Sequence, residues 1–190
     1  MSPSGSLPLP AKTISVFGSA SPQPGSPAYA EAQELGRLLA EAGYGVATGG
    51  YSGTMAAASQ GTAEAGGHVI GVTSDQIEQY RPIAPNQWVT EEIRYPTLRE
   101  RLVHLVDHND GMVALPGGVG TLSEVALAWS WLQVGEISPR PLVLLGSIWR
   151  KVIQTYAAEG YIPMRDMDLI HFAASAETAV AYLQMTFEMP

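Results

Sequence analysis

The fold is decided by residues 111–124, whose sequence is GMVALPGGVGTLSE. The stretch opens with a short apolar run that ends at Pro116, and three glycines lie within residues 117–120. A helical pattern follows and carries Glu124 in its first turn. This order predicts a buried strand, a tight turn and a helix N-terminus. Such a turn exposes backbone N–H groups at the positive end of a helix dipole, and glycine lets an anion approach them closely.

Short apolar runs on both sides of this stretch alternate with helical patterns. The predicted strands are residues 13–17, 44–48, 68–72, 87–95, 111–115, 141–146 and 169–173. The predicted helices are residues 27–42, 54–65, 96–107, 120–134, 148–158 and 176–187. Because short apolar strands alternate with helices, we predict the α/β fold class, as a Rossmann-like, doubly wound parallel sheet with helices on both faces. Residues 73–86 are predicted to be a long polar connection that folds over a site.

The length of the chain, 190 residues, fits one domain with a sizeable core. Residues 1–11 are rich in Ser, Pro and Gly, which predicts a flexible tail, and residues 12–190 are predicted to form a single α/β domain. No apolar run approaches the roughly 20 residues that span a bilayer, and the N-terminus lacks the pattern of a signal peptide. We therefore expect a cytoplasmic protein without a membrane partner.

The charge pattern narrows the classes of partner. The formal net charge is −8, and the ten Lys and Arg residues form no cluster, which argues against nucleic acid or an anionic membrane. A small phosphorylated ligand remains compatible, because a few N–H groups and one Arg can bind it locally. Cysteine is absent, which excludes a disulfide framework, a Cys-ligated metal and a Cys nucleophile.

Two other predicted strands also end in glycine-containing loops, FGSAS at residues 17–21 and GGYSGTM at residues 49–55. Ligands of parallel sheets bind beyond the carboxyl ends of the strands, so we expect these loops and residues 116–120 to share one rim. The candidate wall residues of the site are Gly18, Ser19, Gly49, Gly50, Gly53 and Met55. The candidate phosphate-binding residues are Gly117, Gly118, Val119, Gly120 and Thr121.

The motif at residues 116–124 has the form P-G-G-x-G-T-x-x-E, which matches neither common nucleotide fingerprint. The Walker A loop ends in Gly-Lys-Ser/Thr, and no lysine lies near this turn. The dinucleotide fingerprint requires G-x-G-x-x-G, and Ser123 occupies the place of its third glycine.

The form P-G-G-x-G-T-x-x-E resembles the signature of the LONELY GUY (LOG) family of cytokinin-activating phosphoribohydrolases, which often carry the inherited label lysine decarboxylase. The resemblance extends from about residue 15 to residue 146 and includes all three glycine loops. Trp131–Gly135 of the sequence, WLQVG, is similar to the W-x-Q-L-G that closes the family's helix.

The resemblance implies an activity and a mode of assembly. Family members hydrolyse a nucleoside 5′-monophosphate to a free base, such as adenine or an N6-modified adenine, and ribose 5-phosphate. The resemblance further implies that residues 12–190 bind the nucleotide, that no metal or organic cofactor takes part, and that the chain forms a homodimer or a larger homo-oligomer.

The chemistry of this reaction suggests roles for individual residues. Cleavage of an N-glycosidic bond develops positive charge at C1′, and a nearby carboxylate stabilises that charge or activates water. Our hypothesis is that Glu124 has this role. The resemblance identifies the family's upstream arginine as Arg101, which would hold the phosphate or orient Glu124. Backbone N–H groups of residues 118–121 and the Thr121 hydroxyl would hold the 5′-phosphate.

Two leucines depart from the family pattern. Leu102 replaces a lysine that usually follows the arginine, and Leu127 replaces a further glutamate found in many members. These changes keep open a non-catalytic nucleotide-binding or sensing module on the same fold. They also keep open a hydrolase that acts on another phosphorylated nucleoside.

Two further interpretations concern a metal site at two histidines and a base pocket at two tryptophans. His104 and His108 lie four residues apart, but no third metal ligand is evident and the H-E-x-x-H form is absent, so we expect no metal site. Trp129 and Trp131 could line a base pocket, although aromatic residues at this spacing more often belong to a core or a dimer contact.

A pyridoxal phosphate decarboxylase would need a lysine that forms a Schiff base. The sequence has two lysines, Lys12 and Lys151, and neither lies on a predicted strand-end loop. We therefore reject the decarboxylase label and expect no cofactor.

Overall fold

Seven parallel strands form the central sheet of the computed structural model, which describes residues 10–188. The strands are β1 (Thr13–Phe17), β2 (Gly45–Thr48), β3 (Val69–Ser74), β4 (Glu91–Tyr95), β5 (Gly111–Ala114), β6 (Leu142–Leu145) and β7 (His171–Ala173). They lie in the order β4-β3-β2-β1-β5-β6-β7. The chain runs from β1 outward to β4 and then returns to the other side of β1. The predicted doubly wound α/β fold is confirmed, with its switch point between β1 and β5.

Helices cover both faces of this sheet. They are α1 (Pro27–Glu41), α2 (Thr54–Glu64), α3 (Asp75–Tyr80), α4 (Leu98–Asp107), α5 (Val119–Val134), α6 (Ser147–Ala157), α7 (Met164–Met167) and α8 (Ala176–Glu188). One apolar cluster joins the sheet to α1, α2 and α8, and a second joins it to α4, α5 and α6.

The central strands are apolar on both sides because each side packs against helices. Val16 and Leu115 belong to the cluster beneath α1, α2 and α8, whereas Phe17 and Ala114 belong to the other cluster. Successive side chains of a strand point to opposite faces, so a continuous apolar run is buried on both. Burial of one large apolar side chain contributes about 1.5–3 kcal/mol, which fixes the register of these strands.

The prediction of a long polar connection over residues 73–86 is wrong for residues 73–80. β3 continues to Ser74, and α3 follows at once. The Ser74 hydroxyl caps α3 by accepting from the Ile77 N–H at 3.3 Å, and the Thr73 hydroxyl donates to the Glu92 carboxylate at 2.6 Å. Polar pairing with β4 and a polar cap extend these elements, so the apolar pattern alone does not reveal them.

Other elements also differ from the predictions: α4 begins at Leu98 and not at residue 96, because Thr97 caps it, and β7 is limited to His171–Ala173. The strand predicted over residues 87–95 is limited to Glu91–Tyr95, and the four-residue helix α7 lies in a stretch where no element was predicted. α5 begins at Val119, one residue earlier than expected, because Gly118 takes the N-cap position. As a result Glu124 lies in the second turn of α5 and not in the first.

Most of the predicted flexible tail lies outside the described residues, which begin at residue 10. Across residues 10–188, none of the helices combines the length and apolar character needed to cross a membrane.

Candidate active site

Three glycine turns lie at the carboxyl ends of three adjacent strands, β2, β1 and β5. The turn after β1 contacts both of the others. A Cβ atom added at Gly18 would overlap the Thr54 hydroxyl and would lie 3.5 Å from the Leu115 Cβ. The structure therefore brings the three predicted loops to one rim.

Hydrogen bonds join the first loop to the second. The backbone N–H and the hydroxyl of Thr54 both donate to the Ser19 carbonyl, at 2.8 and 3.1 Å. Gly53 has a positive φ of 71°, and a Cβ there would overlap the Ser19 carbonyl oxygen. Gly53 is therefore needed both for its backbone conformation and for the close approach of the two loops.

Asn86 is hydrogen-bonded to the backbone of the second glycine turn. Its backbone N–H donates to the Gly50 carbonyl at 2.7 Å, and its side-chain amide donates to the carbonyls of Gly50 and Tyr51 at 2.9 and 3.1 Å. No local motif in the sequence marks Asn86, because its partners lie 35 and 36 residues away.

The turn after β5 presents an open helix N-terminus. The Leu122 N–H donates to the Gly118 carbonyl at 3.0 Å, and the N–H groups of the first turn before it have no partner within the helix. A Cβ at Gly118 or Gly120 would meet no atom within 4 Å, so these positions face free space. Gly117 differs, because a Cβ there would overlap the Thr121 side chain. Val119, at the tip, is 85% exposed.

Arg101 of α4 and Glu124 of α5 form a buried pair. The distance between Arg101 Nη1 and Glu124 Oε1 is 3.9 Å. Arg101 is 5% exposed and Glu124 is 8% exposed. Arg101 Nε donates to the Val72 carbonyl at 2.7 Å. A Cβ at Gly49 would overlap Arg101 Nη2 and crowd the Met55 sulfur, so Gly49 makes room for the guanidinium.

The burial of this pair changes its acid–base behaviour. Burial raises the pKa of Glu124 to about 7, and the positive charge of Arg101 opposes that rise. Burial also lowers the pKa of Arg101, against the attraction of Glu124 and Tyr51. Arginine starts from so high a pKa that it stays charged, whereas the Glu124 carboxyl changes protonation near neutral pH. A carboxyl of this kind is suited to proton transfer in a reaction at neutral pH.

Several other candidates lie away from this rim. Trp129 donates from its indole N–H to the Asp166 carbonyl at 2.7 Å, which places it against α7. The rings of His104 and His108 stack at 4.4 Å, and the Tyr95 hydroxyl lies 2.9 Å from His104 Nδ1. In the part of the chain that the structure describes, no three His, Cys, Asp or Glu side chains are grouped to hold a metal. Lys12 lies against the Phe187 ring.

A family comparison gives this geometry a context. The model of the family described as possible lysine decarboxylase matches residues 55–183, which include both Arg101 and Glu124. The chain belongs to this family, the LOG family.

Curated relatives agree with the LOG assignment, and a solved structure agrees with the fold. A cytokinin riboside 5′-monophosphate phosphoribohydrolase of Rhodococcoides fascians is 30% identical over 182 residues, covering 91% of this chain and 89% of the relative. One from Arabidopsis thaliana is 36% identical over 114 residues, covering 60% of this chain and only 47% of the relative. The solved structure of a molybdenum cofactor carrier protein from Chlamydomonas reinhardtii superposes with a TM-score of 0.72 at 28% identity, covering 93% of this chain and 98% of that one.

The two leucines that depart from the LOG pattern are both partly buried. Leu102 of α4 and Leu127 of α5 pack against the apolar cluster shared by α4, α5 and α6. Charged side chains at these places would be half-buried, so an apolar pair avoids the cost of desolvating two charges.

Proposed function

We propose that this chain hydrolyses the N-glycosidic bond of a nucleoside 5′-monophosphate and releases a free base and ribose 5-phosphate. The observation that carries the proposal is the buried Arg101–Glu124 pair beside an open helix N-terminus. The named activity of the relatives supports the same reaction.

The geometry supports a division of roles. The free N–H groups of residues 118–121 would hold the 5′-phosphate, with the Thr121 hydroxyl beside them. Glu124 would stabilise the positive charge that develops at C1′ as the C1′–N bond breaks and its electron pair passes to the base. Water then bonds to C1′ and loses a proton that Glu124 can accept; the departing base takes up a proton from solvent, and loss of the proton on Glu124 to solvent restores the carboxylate. Arg101 would hold the substrate and orient Glu124.

The remaining expectations also belong to this proposal. The base is adenine or an N6-modified adenine, as in the cytokinin ribotides that the names of the relatives indicate. The reaction needs no metal or organic cofactor, the protein acts in the cytoplasm, and its partners are the nucleotide and further copies of the chain, not nucleic acid or membrane.

The proposal is tested by incubating the purified protein with a panel of nucleoside 5′-monophosphates, including AMP and an N6-isopentenyl derivative, and by measuring free base. We expect release from at least one purine nucleotide, and a loss of about a hundredfold or more in Arg101→Ala. Arg99→Ala is the matched control, because Arg99 lies on the same helix and is exposed. Equal rates in the two variants would contradict the role given to Arg101.

A non-catalytic binding protein is the second candidate. Leu102 and Leu127 favour it, because they remove two charged groups from the neighbourhood of the pair. The likeness to a molybdenum cofactor carrier protein also favours it. Nucleotide binding without base release, at any pH between 5 and 9, would support this candidate over hydrolysis.

A further inference from the structure

Tyr51 belongs to the second glycine turn, its hydroxyl reaches Ser74 at the end of β3, and it is 4% exposed. Its ring faces the guanidinium of Arg101, whose central carbon is 5.8 Å from the ring centroid. We infer that Tyr51 is a positioning residue that holds Arg101 beside Glu124. This inference rests on the proposed function, in which Arg101 and Glu124 act on the substrate.

Arg101 has few other restraints. Within residues 10–188, its side chain donates one hydrogen bond, from Nε to the Val72 carbonyl. The 3.9 Å between Arg101 Nη1 and Glu124 Oε1 exceeds hydrogen-bond distance. A buried guanidinium with so few partners is costly, and an aromatic face within about 6 Å attracts a cation electrostatically. The Tyr51 ring therefore supplies the surface that keeps the end of the guanidinium in place.

Tyr51 is itself fixed to β3. Its hydroxyl accepts from the Ser74 N–H at 2.9 Å, and it lies 3.3 Å from both the Ser74 carbonyl and Glu78 Oε1, to either of which it can donate. The Val72 carbonyl that binds Arg101 belongs to the same strand. The ring and the guanidinium thus share one rigid support, which makes their relative position well defined.

Within residues 10–188, charged groups of four elements lie at this pair and at the Tyr51 hydroxyl. Glu124 of α5 faces Arg101 of α4, and Glu78 of α3 faces the Tyr51 hydroxyl and pairs with Arg94 of β4 at 2.6 Å. The charge of Arg101 lowers the pKa of Glu124 against the effect of burial. If Arg101 moves away, this attraction weakens and the pKa of Glu124 rises further.

The test compares four variants with the full wild-type chain. Tyr51→Leu and Tyr51→Met remove the aromatic face, and Tyr51→Phe keeps it. Tyr44→Leu is the matched control, because Tyr44 is a partly buried tyrosine that packs against Phe187 and lies just before β2, at the opposite end of that strand from Gly49. The pKa of the Glu124 carboxyl is measured by carbon-13 NMR, the exchange of the Arg101 Nε–H by nitrogen-15 NMR, and kcat/KM with the best substrate.

We expect Tyr51→Leu and Tyr51→Met to raise the pKa of Glu124, to speed exchange of the Arg101 Nε–H, and to lower kcat/KM by about tenfold. Tyr51→Phe and Tyr44→Leu should leave the pKa of Glu124 at its wild-type value. The inference is overturned if Tyr51→Leu and Tyr51→Met show the wild-type pKa of Glu124 and the wild-type exchange rate of the Arg101 Nε–H. Both NMR measurements test the position of Arg101 even if no nucleotide is hydrolysed. Failure of the proposed function is therefore distinguished from failure of this inference.

Discussion

At the scale of single residues, the burial of Glu124 links its chemistry to the stability of the fold. Its pKa of about 7 in the folded protein lies above the ordinary value of 4.5. The folded state therefore binds this proton more tightly than the unfolded chain does. The resulting stabilisation is complete below about pH 4.5 and is lost as the pH rises through 7.

Glu124→Gln removes this titration. We predict that the free energy of unfolding of wild type, relative to that of Glu124→Gln, falls by about 3 kcal/mol between pH 4.5 and pH 8. Urea unfolding at a series of pH values measures the difference. Glu136→Gln, at an exposed position just after α5, should give a curve parallel to that of wild type. A parallel curve for Glu124→Gln would show that the pKa of Glu124 is not raised.

Some site residues can be predicted from the sequence and others cannot. Glu124 belongs to a recognisable motif and Arg101 lies at a fixed distance from it, so the resemblance to the LOG family identifies both residues. Tyr51 and Asn86 act through contacts to Ser74 and Gly50, which lie 23 and 36 residues away. Only the folded chain brings such partners together, and no local spacing indicates them.

At the scale of elements, the turn between β5 and α5 uses its glycines for two different reasons. Gly117 is required by packing, because a Cβ would overlap Thr121. Gly118 and Gly120 face free space, and neither has a positive φ. The fold therefore does not require glycine at these two positions, and the proposed approach of a phosphate to the helix N-terminus would account for both.

This difference predicts opposite outcomes for two substitutions. Gly120→Ala should keep or slightly raise the melting temperature, because alanine favours a helix by up to about 1 kcal/mol, and should weaken AMP binding by about tenfold or more. Gly117→Ala should lower the melting temperature by several degrees. Calorimetry of unfolding and of AMP binding measures both effects. Wild-type AMP affinity in Gly120→Ala would place the phosphate elsewhere.

How well the sequence predicts an element depends on whether that element is buried in the centre of the fold or lies at its periphery. The central strands are buried on both faces, so their apolar runs predict them directly. β4 lies at the edge, with Glu91, Glu92 and Arg94 exposed, and α3 and α7 are short and polar at many positions. These peripheral elements depend on caps and ion pairs, which leave a weaker pattern in the sequence.

At the scale of the whole molecule, the outer side of α5 and α6 leaves apolar groups uncovered. Leu122, Val152 and Tyr156 are 48%, 42% and 59% exposed and line a groove of about 570 Å³ between the two helices. Glu124 is the one ionisable side chain in the sequence of α5. A helix that is apolar on nearly all sides is usually buried, which supports the proposed homodimer or larger assembly.

Val152→Glu tests that assembly. We predict a shift toward monomers, because the substitution places a charge in an apolar contact, whereas Gln154→Glu on the same helix should leave the assembly unchanged. Sedimentation velocity over a range of protein concentrations distinguishes the two. Identical sedimentation of wild type and Val152→Glu would show that this surface does not join the copies.

The most direct test of the central claim is a single-turnover experiment with excess protein over a nucleoside 5′-monophosphate that it binds. Free base and ribose 5-phosphate are quantified together over time. We predict that wild type and Glu136→Gln each release one free base for every ribose 5-phosphate. Glu124→Gln should bind the nucleotide but form both products at least about a hundredfold more slowly. Product formation by Glu124→Gln at the wild-type rate, or binding by wild type without products, would contradict the account.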